Sequence, residues 1–244
     1  MVVTIHQPEH LPWLGFFNKM ANADEIVILD NVQYRKRYFQ NRNKILVNNV
    51  EKYIGVPVKL EQYREKTIAD MEIFSDVEVP WKDKYLKTIR YNYKHHPYFN
   101  EYYPFFENLL SKHIVSLYEF NMEIIRYFAC ELRIETRIIK ASDLSPSGEK
   151  SDLILDIAKK SGADIYLSGP TGRDYMDLDK YKREKMGVWF NDFVHPEYAQ
   201  KGRKSFVPYL SVLDLLMNLG AQQGRNIIQS GTVITKYKGD YKDE

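Results

Sequence analysis

The sequence predicts an α/β protein: a Rossmann-like, mostly parallel sheet carrying a hairpin and a helical insertion. Three observations predict it. Short β-branched runs alternate with amphipathic stretches in the first and last thirds of the chain, the middle switches to sustained helical periodicity, and an Asn pair separates two strand-like runs. At 244 residues the chain has room for one such domain with a sizeable core.

The elements follow in order. Residues 2–5 form a buried first strand that runs into Ile5-His6-Gln7-Pro8-Glu9-His10 and a proline-punctuated turn; residues 14–21 form a short aromatic helix, and residues 25–29 a second strand ending at Asp30. Residues 33–44 make a polar loop in which Arg35, Lys36, Arg37, Arg42 and Lys44 interleave with Tyr34, Tyr38 and Phe39. Residues 44–47 and 52–58 form the hairpin, with Asn48 and Asn49 as its turn. From 79 to 133 the spacing is helical: Trp81, Tyr85 and Ile89 share one face, as do Ile114, Tyr118 and Met122, and Pro97 and Pro104 punctuate the run. Strand 137–140, helix 153–160 capped by Ser151 or Asp152, strand 164–167 and strand 187–190 restore the α/β alternation. A helix over 211–219 with Gly220 past its end closes a single domain, 1–221, and a polar, frayed tail follows over 222–244.

The composition narrows the class. A hydrophobic fraction of 44% with 28% charged residues describes an ordinary globular protein, and a net charge of +2 argues against a broad nucleic-acid-binding face while allowing a local basic patch. Cys130 stands alone, which excludes a disulfide framework and a thiolate metal cluster. No apolar run reaches the length of a membrane span, and His6, Gln7 and Pro8 interrupt any signal-peptide core, so a cytoplasmic protein is the expectation. Nineteen Tyr and twelve Phe favour aromatic-lined clefts or densely packed helices.

Candidate chemistry gathers where strands end. In open α/β sheets ligands bind beyond the carboxyl ends of the strands, and that is where His6, Asp30 and Ser168-Gly169 fall. His6 and His10 are candidate acid–base or phosphate-contacting groups; Pro8 keeps them off one continuous helix, which disfavours a metal pair, and a turn-capping role stands beside both. Arg42 is the first choice for an anion contact in the basic loop, against a merely solvated loop. Ser168-Gly169-Pro170-Thr171-Gly172-Arg173-Asp174 follows a strand directly; its glycines let N–H groups converge on an anion and Arg173 supplies charge, against a tight structural turn, while Asp174 orients Arg173, acts as a base or caps the next helix. It lacks the ending of a P-loop. Asp30 is a general base, a ribose contact or a turn carboxylate. His95-His96-Pro97 and His195-Pro196 read first as core or surface.

Together, Ile5-His6-Gln7-Pro8, Leu11-Pro12-Trp13-Leu14-Gly15-Phe16-Phe17, Asp30-Asn31-Val32-Gln33-Tyr34, Asn41-Arg42-Asn43, Val56-Pro57-Val58, Leu167-Ser168-Gly169-Pro170 and Ser211-Val212-Leu213-Asp214-Leu215-Leu216 resemble the WbqC-like family of bacterial proteins. The likeness runs from the first strand to the final helix. Its departures are His10, where an aromatic often stands, and Thr171, where a small residue is common. The resemblance implies a part in making surface polysaccharide such as O-antigen, and an acyl, specifically glycyl, transfer onto an amino sugar. The resemblance carries over His6, Gln7, Asp30, Gln33, Arg42, Ser168, Gly169, Arg173 and Asp174 as the site edge. Joined to the reading of the residues, His6, Asp30 and His10 are expected to be catalytic and Gln7, Trp13, Gln33, Tyr34, Arg42, Ser168, Gly169, Gly172, Arg173 and Asp174 to bind substrate, with Trp13 or Tyr34 stacking a base.

The expected substrate is a nucleotide sugar or another phosphorylated small molecule. The acyl group arrives either as an adenylate made from ATP with Mg or on a charged tRNA, and the sequence does not choose. A nucleotidyltransferase or glycosyltransferase on the same layout is the second reading; its Asp177-Leu178-Asp179 has the spacing of a metal-binding pair but falls after a loop, at an expected helix start. A non-catalytic assembly module of a polysaccharide-synthesis complex is the third. The basic loop is expected to be mobile and to close on substrate.

Overall fold

The computed structural model describes residues 1–74 and 81–237; the first two residues of the expected helical insertion, 79 and 80, and the tail beyond 237 lie outside the described residues. In chain order the elements are β1 (Val2–His6), α1 (Leu14–Ala21), β2 (Glu25–Ile28), β3 (Arg42–Val47), β4 (Val50–Gly55), α2 (Trp81–Tyr93), α3 (Phe99–Ser111), α4 (Leu117–Glu131), β5 (Arg137–Lys140), α5 (Lys150–Lys160), β6 (Ile165–Ser168), α6 (Leu178–Arg183), β7 (Gly187–Asn191), α7 (Val212–Ser230) and β8 (Ile234–Lys236).

Six strands form one sheet in the order β5-β2-β1-β6-β7-β8, parallel throughout except for β8, and β3–β4 form a separate antiparallel pair. The chain therefore starts at the centre, builds outward through β2 and β5, then returns to β6 on the other side of β1. That reversal opens a crevice between the carboxyl ends of β1 and β6, the usual ligand site of such sheets. Both faces of the sheet are covered, as a parallel sheet requires. On β2, Ile26 and Ile28 join a core with α1, the helical part and α7, while Val27, and Leu29 just past the strand, join a second core with α5, β6 and β7. The two-residue side-chain period of a strand produces this division.

Local chemistry explains the boundaries. Asn48 and Asn49 both adopt left-handed backbone, φ 51 and φ 60, which is what a two-residue hairpin turn needs. Ser116 caps α4 by accepting from the Glu119 N–H at 3.3 Å, a Ser-x-x-Glu start. Pro97 lies between α2 and α3, but Pro104 sits inside α3. One backbone hydrogen bond is forgone there, and Tyr102, Phe106 and Leu109 still bury the helix face.

Two terminal expectations are corrected. Neither Ser151 nor Asp152 caps α5, which starts at Lys150; Ser151 instead accepts from the Asp177 N–H at 3.2 Å, and Asp152 pairs with Lys180 at 2.7 Å. The residues after Gln222 are not frayed up to 236: helix resumes after Gly220 and runs to Ser230, and β8 then pairs with β7. Gly220 does break the helix, with φ 71 and ψ 174, and the ring of Tyr98 packs where its Cβ would stand. Gly220→Ala is expected to cost more than about 1 kcal/mol, because it forces a side chain into left-handed backbone against a ring. Urea midpoints of the two proteins would measure it, and an unchanged midpoint would refute the account.

Candidate active site

The crevice between β1 and β6 holds a cavity of about 240 Å³ lined by His6, Trp13, Lys19, Gly169, Asn191 and Phe193, among others. β1 delivers His6, α1 delivers Lys19, the turn after β6 delivers Gly169, and the end of β7 delivers Asn191. His6 is partly exposed and stands edge-on to Phe16, with ring centroids 4.9 Å apart. Burial, aided by the Lys19 charge, pushes its pKa down to about 3. The ring is therefore neutral. Its Nδ1–H donates to the Gln7 carbonyl at 3.0 Å, which leaves Nε2 as a bare acceptor.

That nitrogen faces Glu9, whose Oε1 lies 3.9 Å away. Glu9 is buried, its Oε2 has no hydrogen-bond partner, and burial raises its pKa to about 8 against the pull of Lys19. Lys19 is buried too. Its Nζ donates to the Ile5 carbonyl at 3.0 Å, and burial lowers its pKa to about 8 while Glu9 pulls it back up. A carboxyl and an amine thus approach each other's proton affinity near neutral pH, as acid–base groups at active sites do. Asn191 adds a further buried oxygen, Oδ1, without a donor. The cavity wall thus carries the His6 ring, the Asn191 side chain and the Lys19 amine, with the Glu9 carboxyl behind His6.

Glu9, Lys19 and Asn191 were not among the residues expected from sequence. Glu9 stood within the opening motif. Lys19 carried a signal, a lysine on the apolar face of a short aromatic helix.

The expected residues fall into three groups. His6, Trp13 and Gly169 line the cavity, and nothing lies within 4 Å of where a Gly169 Cβ would stand. Gln7 and Ser168 stand close behind it. Gln7 Oε1 accepts from Gln40 Nε2 at 2.8 Å, and Gln40 Oε1 accepts from the Arg35 N–H at 2.8 Å, which ties the basic loop to the end of β1. Ser168 is buried with its Oγ against the bare Cα of Gly172, so that glycine shapes the turn instead of cradling an anion.

The others point elsewhere. His10 is a core residue, corrected from a catalytic one: it is wholly buried, Nδ1–H donates to Asn121 Oδ1 at 3.1 Å, and Nε2 accepts from the Tyr85 hydroxyl at 3.0 Å. Tyr34 is buried edge-on to Tyr63, its pKa pushed up to about 12 by burial, so it offers no face to a base. Gln33 bonds the Arg64 carbonyl. Arg42 donates to the Arg37 carbonyl at 2.6 Å and lies 4.2 Å over the Tyr53 ring. Arg173 forks onto Asp192 at 2.6 and 2.7 Å, and Asp174 is exposed on the short turn before α6. Asp30 is buried at the end of β2 and turned toward β5: Ser142 N–H donates to Oδ1 at 2.9 Å, and Lys140 Nζ is 3.5 Å from Oδ2. Asp177 caps α6, accepting from the Lys180 N–H at 3.0 Å, which accounts for the Asp-Leu-Asp spacing without a metal.

The WbqC-like protein family matches residues 7–226, from the His6 turn through the final helix. The chain belongs to that family. It is also 28% identical over 222 residues to an uncharacterized protein of Mycobacterium tuberculosis strain H37Rv, Rv1507c, covering 90% of this chain and 94% of the relative. No solved structure matches it. Membership in the WbqC-like family points to polysaccharide biosynthesis and to an enzyme. Among the described residues, no helix is long and apolar enough to cross a membrane.

Proposed function

We propose that this WbqC-like protein is a cytoplasmic transferase of bacterial surface-polysaccharide biosynthesis that N-acylates the amine of a nucleotide-linked amino sugar, with an aminoacyl group such as glycyl as the acyl part. The observation that carries this reading is the grouping at one crevice of a neutral His6 with Asn191 Oδ1, buried and without a donor, and behind His6 the buried Glu9, whose Oε2 also lacks one. Buried acceptors are costly when left without donors. A primary amine brings N–H donors, and it is the nucleophile that amide formation needs.

The step balances on these groups. The amine lone pair attacks the acyl carbon, forming the C–N bond. The bond from that carbon to its leaving oxygen breaks, and the departing oxygen leaves with AMP from an adenylate or with the 3′ hydroxyl of a tRNA. The proton released by nitrogen goes to Glu9, whose raised pKa suits a base near neutral pH, and with a tRNA ester Glu9 passes it on to the departing 3′ oxygen. Lys19 lines the same cavity and offers its ammonium to the oxygen that gathers negative charge. His6 accepts a hydrogen bond from the amine and aims it.

The test is direct. Purified protein is incubated with a nucleotide-linked amino sugar and either glycine with ATP–Mg or glycyl-tRNA, and the product is read by mass spectrometry. An amide-linked aminoacyl sugar nucleotide is expected in one arm, which also names the donor. A folded protein that gives no amide in either arm, and no thermal shift with the amino-sugar nucleotide, would sink the reading.

A further inference from the structure

Beside the His6 cavity lies an aromatic shelf, and we propose that it binds the planar base of a nucleotide whose remaining groups reach the cavity. The inference rests on the acyl-transfer reading only for what occupies the cavity itself. The shelf joins three separate segments. Trp13 lies parallel to the His195 ring, with centroids 6.2 Å apart and 16° between planes; Tyr209 meets Trp13 at 5.7 Å and His195 at 5.2 Å; Phe193 stands edge-on to Trp13 at 5.6 Å. Trp13 and Phe193 also line the cavity, so the two sites are continuous.

Size requires a second site. About 240 Å³ lies below the roughly 300–1,000 Å³ of pockets that enclose a whole drug-sized ligand. A sugar or aminoacyl group fits that space, and a complete nucleotide sugar or adenylate does not. The nucleotide part must lie outside, along a wall the cavity shares.

Tyr209 is the second observation. The residue is 58% exposed, yet its backbone is left-handed, φ 59, which a bulky residue rarely adopts. The chain holds it there: Leu210 and Ser211 next to it are fully buried, Ser211 N–H donates to the Lys44 carbonyl at 2.8 Å, and Ser211 bridges Trp13. An exposed ring fixed by unfavourable backbone beside a cavity fits a contact surface. Gly15 sets the other ring. The indole of Trp13 packs against its Cα, where a Cβ would collide, so the Trp-Leu-Gly spacing fixes the tilt of the shelf.

The chemistry of the shelf suits a base. It is uncharged: burial lowers the His195 pKa, and its Nδ1–H donates to the Pro196 carbonyl at 2.9 Å, leaving Nε2 a partnerless acceptor at the back of the shelf. Aromatic faces of this kind stack bases with little regard to their identity. His195, read from sequence as core or surface, becomes part of a binding surface.

The experiment uses the full chain with Trp81→Phe and Trp189→Phe, which leaves Trp13 as the one indole of the three. AMP, UMP and glucosamine are titrated while Trp13 fluorescence is followed, and equilibrium dialysis on the unsubstituted protein checks each affinity. A mononucleotide is expected to quench saturably and glucosamine not to. Tyr209→Ala is expected to weaken binding about tenfold, Tyr209→Phe to restore it, and Gly15→Ala to weaken it by moving Trp13. Preference for AMP would place an acyl-activating nucleotide on the shelf, and preference for UMP a sugar carrier. Glu9→Gln is expected to leave mononucleotide binding intact while acylation is lost, so the two proposals can fail separately. Absence of nucleotide binding by both methods, or equal binding by Tyr209→Ala, overturns the shelf, and so does quenching by glucosamine alone.

Discussion

Glu9→Gln is expected to lower the rate of the proposed acylation by about 10²–10⁴-fold, the usual worth of a positioned general base, and to leave the fold intact. Glutamine keeps the shape and still presents an oxygen, but it cannot take the proton that the attacking nitrogen sheds. The pH profile carries the sharper signature. Glu9 must be ionised and Lys19 protonated for the step, and burial has moved the two together, Glu9 up and Lys19 down to about 8. kcat/KM should therefore pass through a narrow maximum near pH 8, with limbs that belong to the pair and not to either residue. The variant loses the rising limb. Stability moves the opposite way. A carboxyl whose native pKa is raised from 4.5 to about 8 contributes stability that is present below about pH 4.5 and is lost as pH rises through 8. Glu9→Gln removes that loss, so its urea midpoint should gain on the unsubstituted protein toward pH 8 and above. Full activity in the variant would dismiss Glu9 as the base.

The sequence showed the fold because periodicity and turn chemistry are local. Strand 137–140 and helix 14–21 coincide with β5 and α1, and the Asn48-Asn49 turn is where the hairpin reverses. The resemblance to the WbqC-like family was equally legible, because it rests on motifs spread along the chain. The site was legible only in part. His6 was visible from its place at a strand end, but its neutrality comes from burial and from Lys19, thirteen residues on. Glu9 looked like any polar turn residue, and only the fold buries it beside His6, with its Oε1 3.9 Å from Nε2. His10 looked like its partner, yet the turn sends its backbone N–H to the Phe39 carbonyl at 2.9 Å and its ring toward Asn121 and Tyr85. Arg42 and Arg173 were visible as charges, whereas Arg37 and Asp192, which occupy them, are set by tertiary packing. The segment after Gly220 failed for a different reason. Its helix is polar on much of its surface, and it is held by Asn18, whose Nδ2 donates to the Ile228 carbonyl at 2.8 Å from the other end of the chain.

Asp214→Ala is expected to destabilise the protein by about 3–5 kcal/mol, the cost of removing one partner from a buried charged network. Asp214 is fully buried on α7 and accepts from the hydroxyls of Tyr93 at 3.0 Å and Tyr198 at 2.9 Å, and from Gln200 Nε2 at 3.2 Å. Burial raises its pKa, and those three donors pull it back. Tyr93 in turn accepts from the Leu46 N–H at 3.3 Å. One carboxylate therefore ties α7 to α2, to the segment that leads to the shelf, and to β3 of a hairpin that shares no ladder with the main sheet. Alanine leaves two hydroxyls and an amide facing an apolar void with no acceptor, and it leaves a cavity besides. For a chain of this length each kcal/mol is worth about 2–4 °C, so the melting temperature should fall by roughly 10 °C. Asp214→Asn separates charge from acceptor: its carbonyl still serves one hydroxyl, but its amide sets N–H groups against donors, so a smaller loss is expected. If alanine melts within a degree of the unsubstituted protein, the hairpin and the shelf segment are held by apolar packing alone. A full loss with alanine and a partial loss with asparagine would instead place the junction of helical part, hairpin and shelf on this buried carboxylate.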